Sequence, residues 1–366
     1  MTQHESPVYT RCPGGEIGRH TRLKILRLNG RAGSIPAPGT ILSSLKLCYA
    51  SVIIQRLSVF FLLIPPRDIY AMFPQYIEPI FRPPSEARSL IFQVTNGCSW
   101  NKCTFCDMYT QPQKKFRARD EAEVLAEIKQ AAAIGPRFEK VFLADGDALV
   151  LPTRRLVNIL RSIKAELPWV TRVGAYCLPR NIRKKSVGEL KELADLGFGI
   201  AYVGAESGDD EVLTAISKGE TYESTLDALN KLKEARIKTS VMVLNGMGGV
   251  ALSEQHAVNS ARLMNEAQPD FLSTLVVSYP LGDRRVQEGF AGNYQLPNQH
   301  DLFVELRRFI DTLELSNTVF RSDHASNYLP LKGTLGADKE EMLKQLDTAI
   351  NQPDRIALRQ EWQRGL

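Results

Sequence analysis

Long hydrophobic runs are scarce in this sequence, and the one that stands out is broken. Residues 52–64 read Val-Ile-Ile-Gln-Arg-Leu-Ser-Val-Phe-Phe-Leu-Leu-Ile, interrupted by Gln55 and Arg56, with Lys46 upstream. The uninterrupted part is too short to span a bilayer. The basic end, apolar centre and small-residue cleavage site of a signal peptide are not found near the terminus. Cysteine is sparse as well, six in 366 residues at irregular spacing, which does not read as a secreted disulfide framework. His256, His300 and His324 stand singly, so no paired ligands are at hand to close a structural zinc site. An excess of one charge is also missing from most of the chain. The formal net charge of +5 resides in the head: residues 1–71 hold nine Lys/Arg against three acids, and the rest holds 37 against 38. A near-neutral body with no appended RNA-binding domain argues against a nucleic-acid partner. Apolar residues, at 43%, suffice for the core of one large domain or two.

What the sequence does have is a concentration of thiols. Gly97-Cys98-Ser99-Trp100-Asn101-Lys102-Cys103-Thr104-Phe105-Cys106 follows directly on the apolar run Leu90-Ile91-Phe92-Gln93-Val94. A strand ending in such a loop presents three soft ligands to one inorganic centre. Cys12, Cys48 and Cys177 are scattered, so the count is three protein ligands and one open position. A structural zinc site is closed by four protein ligands, whereas a cubane iron–sulfur cluster on three thiolates keeps one iron free. The donor count favours the cluster; a zinc-stabilised barrel without radical chemistry and a set of plain buried cysteines are the alternatives.

The rest of the body alternates. Asp120 reads as the cap of a helix, with Glu123 completing a capping box, and that helix stops at Gly135-Pro136. Strands are expected at about 90–95, 140–144, 171–177, 200–204, 239–244 and 271–278. Helices are expected between them at 153–167, 187–196, 209–217, 222–235 and 253–266. Strand, polar loop and helix repeated six times imply a parallel sheet with right-handed crossovers, short of a closed eight-fold barrel. Chemistry in such folds collects at the C-terminal ends of the strands. Past residue 285 the pattern turns helical, at 299–314 and 339–350, around the polar segment 320–330.

The cysteine loop, with the aromatic Phe105 just before the last cysteine, resembles the signature of the radical SAM superfamily. The spacing here is C-x4-C-x2-C, since four residues rather than three separate Cys98 from Cys103. That departure points away from the better-known branches. The resemblance covers roughly residue 72 to the C-terminus. It implies an α/β fold, an open partial (β/α)6 TIM-type barrel over 72–285, with a helical C-terminal extension over 286–366 packing on it. It further implies that Cys98, Cys103 and Cys106 hold a [4Fe–4S] cluster whose free iron chelates S-adenosylmethionine. One electron would then cleave the sulfonium to a 5′-deoxyadenosyl radical, which takes a hydrogen atom from the substrate.

By the same resemblance, Asp145, Gly146 and Asp147 after the second strand occupy the place of the motif for the cofactor's amino group. Glu206 and Ser207 occupy that of the ribose pair, and Lys218 that of a basic residue for the carboxylate. Gly248 would let backbone approach the adenine, with Phe105 against the same ring. Cys177 reads as structural. Few groups then remain for a substrate, and His324, Asn327 and Asp323 are the candidates to line the mouth as catalytic residues; the competing reading makes them a clasp for the C-terminal helices. Expected partners are an unknown substrate, a small molecule or peptide, and an electron donor such as a flavodoxin or ferredoxin. No membrane is expected, the setting is cytoplasmic, and transfer-RNA modification is the disfavoured alternative.

The head has its own explanation. Gly14 to His20, Arg22 to Ile25, Arg31 to Ala37 and Pro38 to Thr40 back-translate, in order, into a D-arm, an anticodon loop, a T-arm stem and an acceptor end. Residues 1–71 thus read as translation through a transfer-RNA gene and spacer, with Met72 as the start; a genuine disordered or membrane-associated head is the alternative. A chain begun at Met72 is expected to fold and to take up iron and sulfide as the full chain does; its failure to fold would reject the misassigned start.

Overall fold

In the computed structural model, the structure describes residues 76–133 and 135–365; the readings made for the head and for Met72 lie outside them. Apolar runs with β-branched and aromatic residues form the strands. β1 is Leu90–Gln93; β2 (Thr95–Asn96) and β3 (Arg117–Ala118) pair as a small antiparallel ribbon. The main sheet continues with β4 (Lys140–Ala144), β5 (Arg172–Tyr176), β6 (Phe198–Glu206), β7 (Lys238–Asn245), β8 (Phe271–Val276), β9 (Val319–Ser322) and β10 (Leu331–Thr334). Its order is β1-β4-β5-β6-β7-β8-β9-β10. Every pairing is parallel up to β9, and β10 returns antiparallel. β1 and β10 are not paired with each other, so the barrel stays open, as the six-unit pattern implies.

The crossover helices fall where the periodicity puts them, for example Glu121–Ala132, Thr153–Glu166, Tyr222–Glu234 and Ser253–Ala267. Asp120 accepts from the amides of Ala122 and Glu123. Glu123, by contrast, pairs with Arg119. The C-terminal extension contains its two helices, Gln299–Thr312 and Lys339–Asn351. It also contributes β9 and β10, because Val319 and Phe320 extend the apolar sheet, with Phe320 wholly buried.

Strand alternation divides the core. Val141, Leu143, Val173, Ala201, Val203 and Val241 face the helices, all buried. Ile91, Phe142, Ala144, Ile200 and Tyr202 face the concave side, where Ile80 packs on them. Segment 76–89 fills that half of the hollow. The Tyr76 hydroxyl donates to Ile91 O at 3.0 Å, Ile77 N to Gln93 Oε1 at 2.9 Å, and Ser85 shares a 3.0 Å bond with Tyr202. Glu86, buried, binds Arg172 and Tyr202. Over β7, β8 and β9 the concave side is left half-exposed, as their alternating burial records.

Beneath the start of the cysteine loop lies a buried ion pair, Lys114 Nζ to Asp145 Oδ2 at 2.5 Å, with both side chains at 0% exposure. Lys114 Nζ also donates to Ile77 O at 2.7 Å. Burial raises the pKa of Asp145 while Lys114 draws it back down. Removing one member of a buried pair strands the other charge, at about 3–5 kcal/mol. Lys114→Met is expected to lose stability of that order in chemical denaturation; a loss under about 1 kcal/mol would show that the pair holds nothing together.

Candidate iron–sulfur and cofactor site

The loop leaves β2 through Gly97, at φ 70°. A Cβ there would lie 2.0 Å from Lys114 O, so only glycine fits. Asn101 donates from its side chain to Tyr109 O at 2.9 Å, and Cys106 N to Cys103 O at 3.4 Å, which folds the loop on itself. It also leans on the segment after the helix Asp210–Ala215: Thr104 N donates to Ile216 O at 2.9 Å and Trp100 Nε1 to Ser217 O at 2.8 Å. From the helix Arg284–Gly289, Arg285 donates to Cys103 O at 3.4 Å and Cys106 O at 2.9 Å and pairs with Asp107.

Cys98, Cys103 and Cys106 are free and half-buried. Burial pushes the Cys106 thiol up to about 12, against the pull of the Met108 backbone and with the push of Cys103 and Cys98. Burial raises Cys103 too, opposed by Lys218. Thiols that burial holds protonated give up those protons to a metal centre. Among the described residues, no three His, Cys, Asp or Glu side chains converge tightly enough to hold a single metal ion.

Glu206 ends β6 beside the loop, at φ 64° in a bulge that re-aims its side chain. Its Oε1 accepts from Lys218 Nζ at 2.9 Å, and its buried Oε2 has no partner. Burial alone would lower the pKa of Lys218, but Glu206 and then Cys103 raise it above the ordinary lysine range. Gly204 makes room: a Cβ there would lie 2.1 Å from Glu206 Oε1 and 3.4 Å from Lys218 Nζ. Arg180 stacks on Trp100 at 3.8 Å and donates to Glu220 at 2.8 Å, bracing the same corner.

The other expected site residues fall as follows. Asp145 meets Lys114 and the amide of Gly97, at 3.4 Å, where a cofactor ammonium was expected. Asp147 accepts from Ser99 Oγ at 2.8 Å, from Asn181 and from Leu178 N at 3.3 Å, and burial pushes its pKa up to about 6. Asp147 therefore has protein partners on both oxygens, whereas Asp145 uses only Oδ2 and keeps a buried Oδ1 without a partner. Gly146 presses its backbone on the loop: a Cβ would come 3.0 Å from Cys98 Cβ. Ser207 turns away to His256 Nδ1, at 2.8 Å, and accepts from Asp209 N at 3.0 Å. Gly248 lies in the tight turn before Ser253–Ala267, where a Cβ would be 2.9 Å from Leu252 O. Phe105 packs with Ile216, Leu244, Met247 and Val277.

The candidate mouth residues are not brought to the thiols. They follow β9, with β4 to β8 between it and β1. Asn327 Nδ2 donates to Thr274 O at 3.0 Å and its Oδ1 accepts from Val276 N at 3.1 Å, so it continues the sheet edge of β8. His324 Nδ1 accepts from Ser326 N at 3.1 Å and shares a 2.9 Å bond with Ser326 Oγ. Arg359 donates to the carbonyls of His324 at 2.6 Å and Asp323 at 3.3 Å. These contacts are those of a clasp. Lys114 and Arg285 were missed in the sequence; their only signals are the basic pairs Lys114-Lys115 and Arg284-Arg285, which any surface carries.

Residues 92–263 match the Radical SAM superfamily. That stretch, just under half of the chain, is similar to the radical SAM domain, whose class is iron–sulfur enzymes that bind S-adenosylmethionine. Over 156 residues it is 24% identical to a protein of Methanocaldococcus jannaschii whose name proposes a methylthiotransferase, covering 42% of this chain and 34% of that one. Among solved structures it is similar to the radical S-adenosylmethionine methyltransferase TsrM of Kitasatospora setae, at 22% identity and TM-score 0.45, covering 57% of this chain and 38% of that one. It is also similar to coproporphyrinogen III oxidase of Escherichia coli, at 16% identity and TM-score 0.46, covering 62% and 54%. The chain thus spans about a third of the curated relative's length.

The residues present fit the cofactors that this class carries. Three free thiols share one loop, and the partnerless Glu206 Oε2 is a buried acceptor beside them. No helix among the described residues is long and apolar enough to cross a membrane.

Asn327→Ala is expected to cost about 1–3 kcal/mol in denaturant melts, because it leaves buried backbone groups of β8 unpaired. Burial and Arg359 lower the pKa of His324. The folded protein therefore favours its neutral ring, and this stability is present above about pH 6.5 and lost as pH falls through that value toward the lower folded pKa. His324→Gln should flatten that part of the stability profile; an unchanged profile would remove His324 from the clasp.

Proposed function

We propose that this protein binds a [4Fe–4S] cluster through Cys98, Cys103 and Cys106 and uses S-adenosylmethionine for radical chemistry on a substrate bound in the open half of the sheet. The observation that carries the reading is the placement of three free thiols against Glu206 and Lys218, with Glu206 Oε2 buried and unpaired. When bound and reduced, the cluster supplies the electron that cleaves the sulfonium and releases a hydrogen-abstracting radical.

The chain's own residues do the positioning. Glu206 offers an acceptor to ribose hydroxyls, as a carboxylate does in dinucleotide folds, and Lys218 is a point charge for the cofactor carboxylate. The Asp145–Lys114 and Asp147–Asn181 contacts hold segment 145–147 still, so that segment's part is to present backbone beside Cys98. Phe105 and the Met247–Gly249 turn supply apolar surface and close backbone approach for the adenine. Arg285 fixes the carbonyls of Cys103 and Cys106. Water is excluded on one side by segment 76–89.

A cytoplasmic setting and an electron donor such as a flavodoxin or ferredoxin belong to this proposal. The methylthiotransferase name of the archaeal relative rests on a shared third of its length and assigns no group transfer here.

Anaerobic reconstitution is expected to give about four irons and four sulfides per chain. Serine at position 98, 103 or 106 should abolish the visible absorption near 400 nm, while Cys177→Ser keeps it. Equal damage from Cys177→Ser would overturn the ligand assignment. Glu206→Gln should weaken S-adenosylmethionine binding about tenfold in calorimetry, the scale of one charge-assisted hydrogen bond.

A further inference from the structure

The concave face of the sheet is half plugged and half open, and the open half carries charge at one end. Register pairs run straight across it: Gly204 with Met242, Met242 with Ser273, Ser273 with Arg321, and Arg321 with Lys332. Directly paired residues on neighbouring strands share a face. Phe320, next to Arg321, is fully buried in the helix-facing core, so Arg321 and Lys332 stand on the concave side. Both are exposed. One end of this row is Gly204, against which Glu206 and Lys218 lie. The other end is a pair of cations about 14–19 Å away, at about 4.8 Å per strand.

Between the ends the surface is mainly apolar and half-exposed: Met242, Phe271, Leu275 and Val319, with Ser273 among them. Like charges directly opposite each other destabilise a sheet. Among the described residues, Arg321 donates to the carbonyl of its neighbour Phe320, at 3.1 Å, and no acid forms an ion pair with Arg321 or Lys332. The exposed acid nearest in sequence, Asp323, brings the three side chains to a net charge of +1. An arginine fork beside a lysine on an apolar floor suits one planar oxyanion attached to an apolar body.

We infer that the substrate carries a carboxylate, bound by Arg321 and Lys332, and lays an apolar body along Met242, Phe271 and Leu275 toward the cofactor end of the row. The inference rests on the proposed function for where the reacting end lies. The carboxylate site itself does not need that reading. Lysine on an edge strand such as β10 also serves to discourage edge-to-edge association, and the two roles differ in what binds.

The test uses the reconstituted full chain and phenylbutyrate as the probe, followed by saturation-transfer NMR. Phenylbutanol is the neutral comparison and phenyl phosphate the other oxyanion. Phenylbutyrate is expected to saturate one site, and Arg321→Gln with Lys332→Gln to weaken it about tenfold. Lys332→Arg should restore most of the affinity in the presence of Arg321. Phenylbutanol should bind wild type and the double variant alike. Because both side chains are exposed, the double variant should melt at the same temperature or higher. Equal phenylbutyrate affinity in wild type and double variant, with or without aggregation of the variant, would overturn the site. Tighter binding of phenyl phosphate, lost in the double variant, would overturn the carboxylate assignment. Iron content is read on the same samples, so a protein that holds no cluster but still binds phenylbutyrate through Arg321 separates the two proposals.

Discussion

A fully buried lysine paired with a fully buried aspartate sits at the junction from which the site is built. Lys114 and Asp145 join the return of the cysteine loop to the end of β4, and the same lysine holds the carbonyl of Ile77. The same carboxylate oxygen accepts from Gly97 at 3.4 Å and from Gln93 at 3.3 Å. Desolvating two charges is expensive, and a well-packed apolar pair could be as stable. What a charged pair adds is direction: Lys114 can satisfy its ammonium only where Asp145 and Ile77 meet it, so the loop, the strand end and the segment 76–89 are tied to one geometry. Cys98 rests against that geometry through Gly146, whose missing side chain lets the backbone approach.

On the far side of the loop the constraint is of a different kind. Arg285, Ile216 and Ser217 hold the loop by its backbone and by Trp100, leaving the thiols themselves free. Glu206 and Lys218 neutralise each other within the same corner, yet the pairing uses one carboxylate oxygen and leaves the other buried and without a partner. An unpaired buried acceptor costs free energy unless something binds it. This corner is therefore braced by contacts that leave the three thiols and one Glu206 oxygen without partners.

The sheet makes the same division on a larger scale. Segment 76–89 occupies the hollow over β1 and β4 to β6, where its polar groups are matched by Gln93, Tyr202 and Arg172. Over β7 to β10 the hollow stays open. The clasp of Asn327, Ser326 and Arg359 pins the turn after β9, which keeps that edge of the sheet in register while adding nothing at the thiols.

The sequence by itself determined the strands and crossover helices, because alternation and helical period report burial directly. The ends of β4 and of the helix Tyr222–Glu234 agree with that reading to within a residue. It also put three thiols on one loop, and the structure leaves all three free and half-buried. It did not determine which way the polar side chains at the strand ends turn. Asp145 after β4 and Ser207 after β6 were correctly placed along the chain, but Lys114 and His256, 31 and 49 residues away from them, claim their side chains. Nor could it show β9, four residues long, which is strand only because β8 lies beside it to pair with. Arg285 reaches the cysteine carbonyls across 179 residues of chain. Periodicity is local, whereas the partner of a buried charge is chosen by packing, and only the tertiary structure brings the two together.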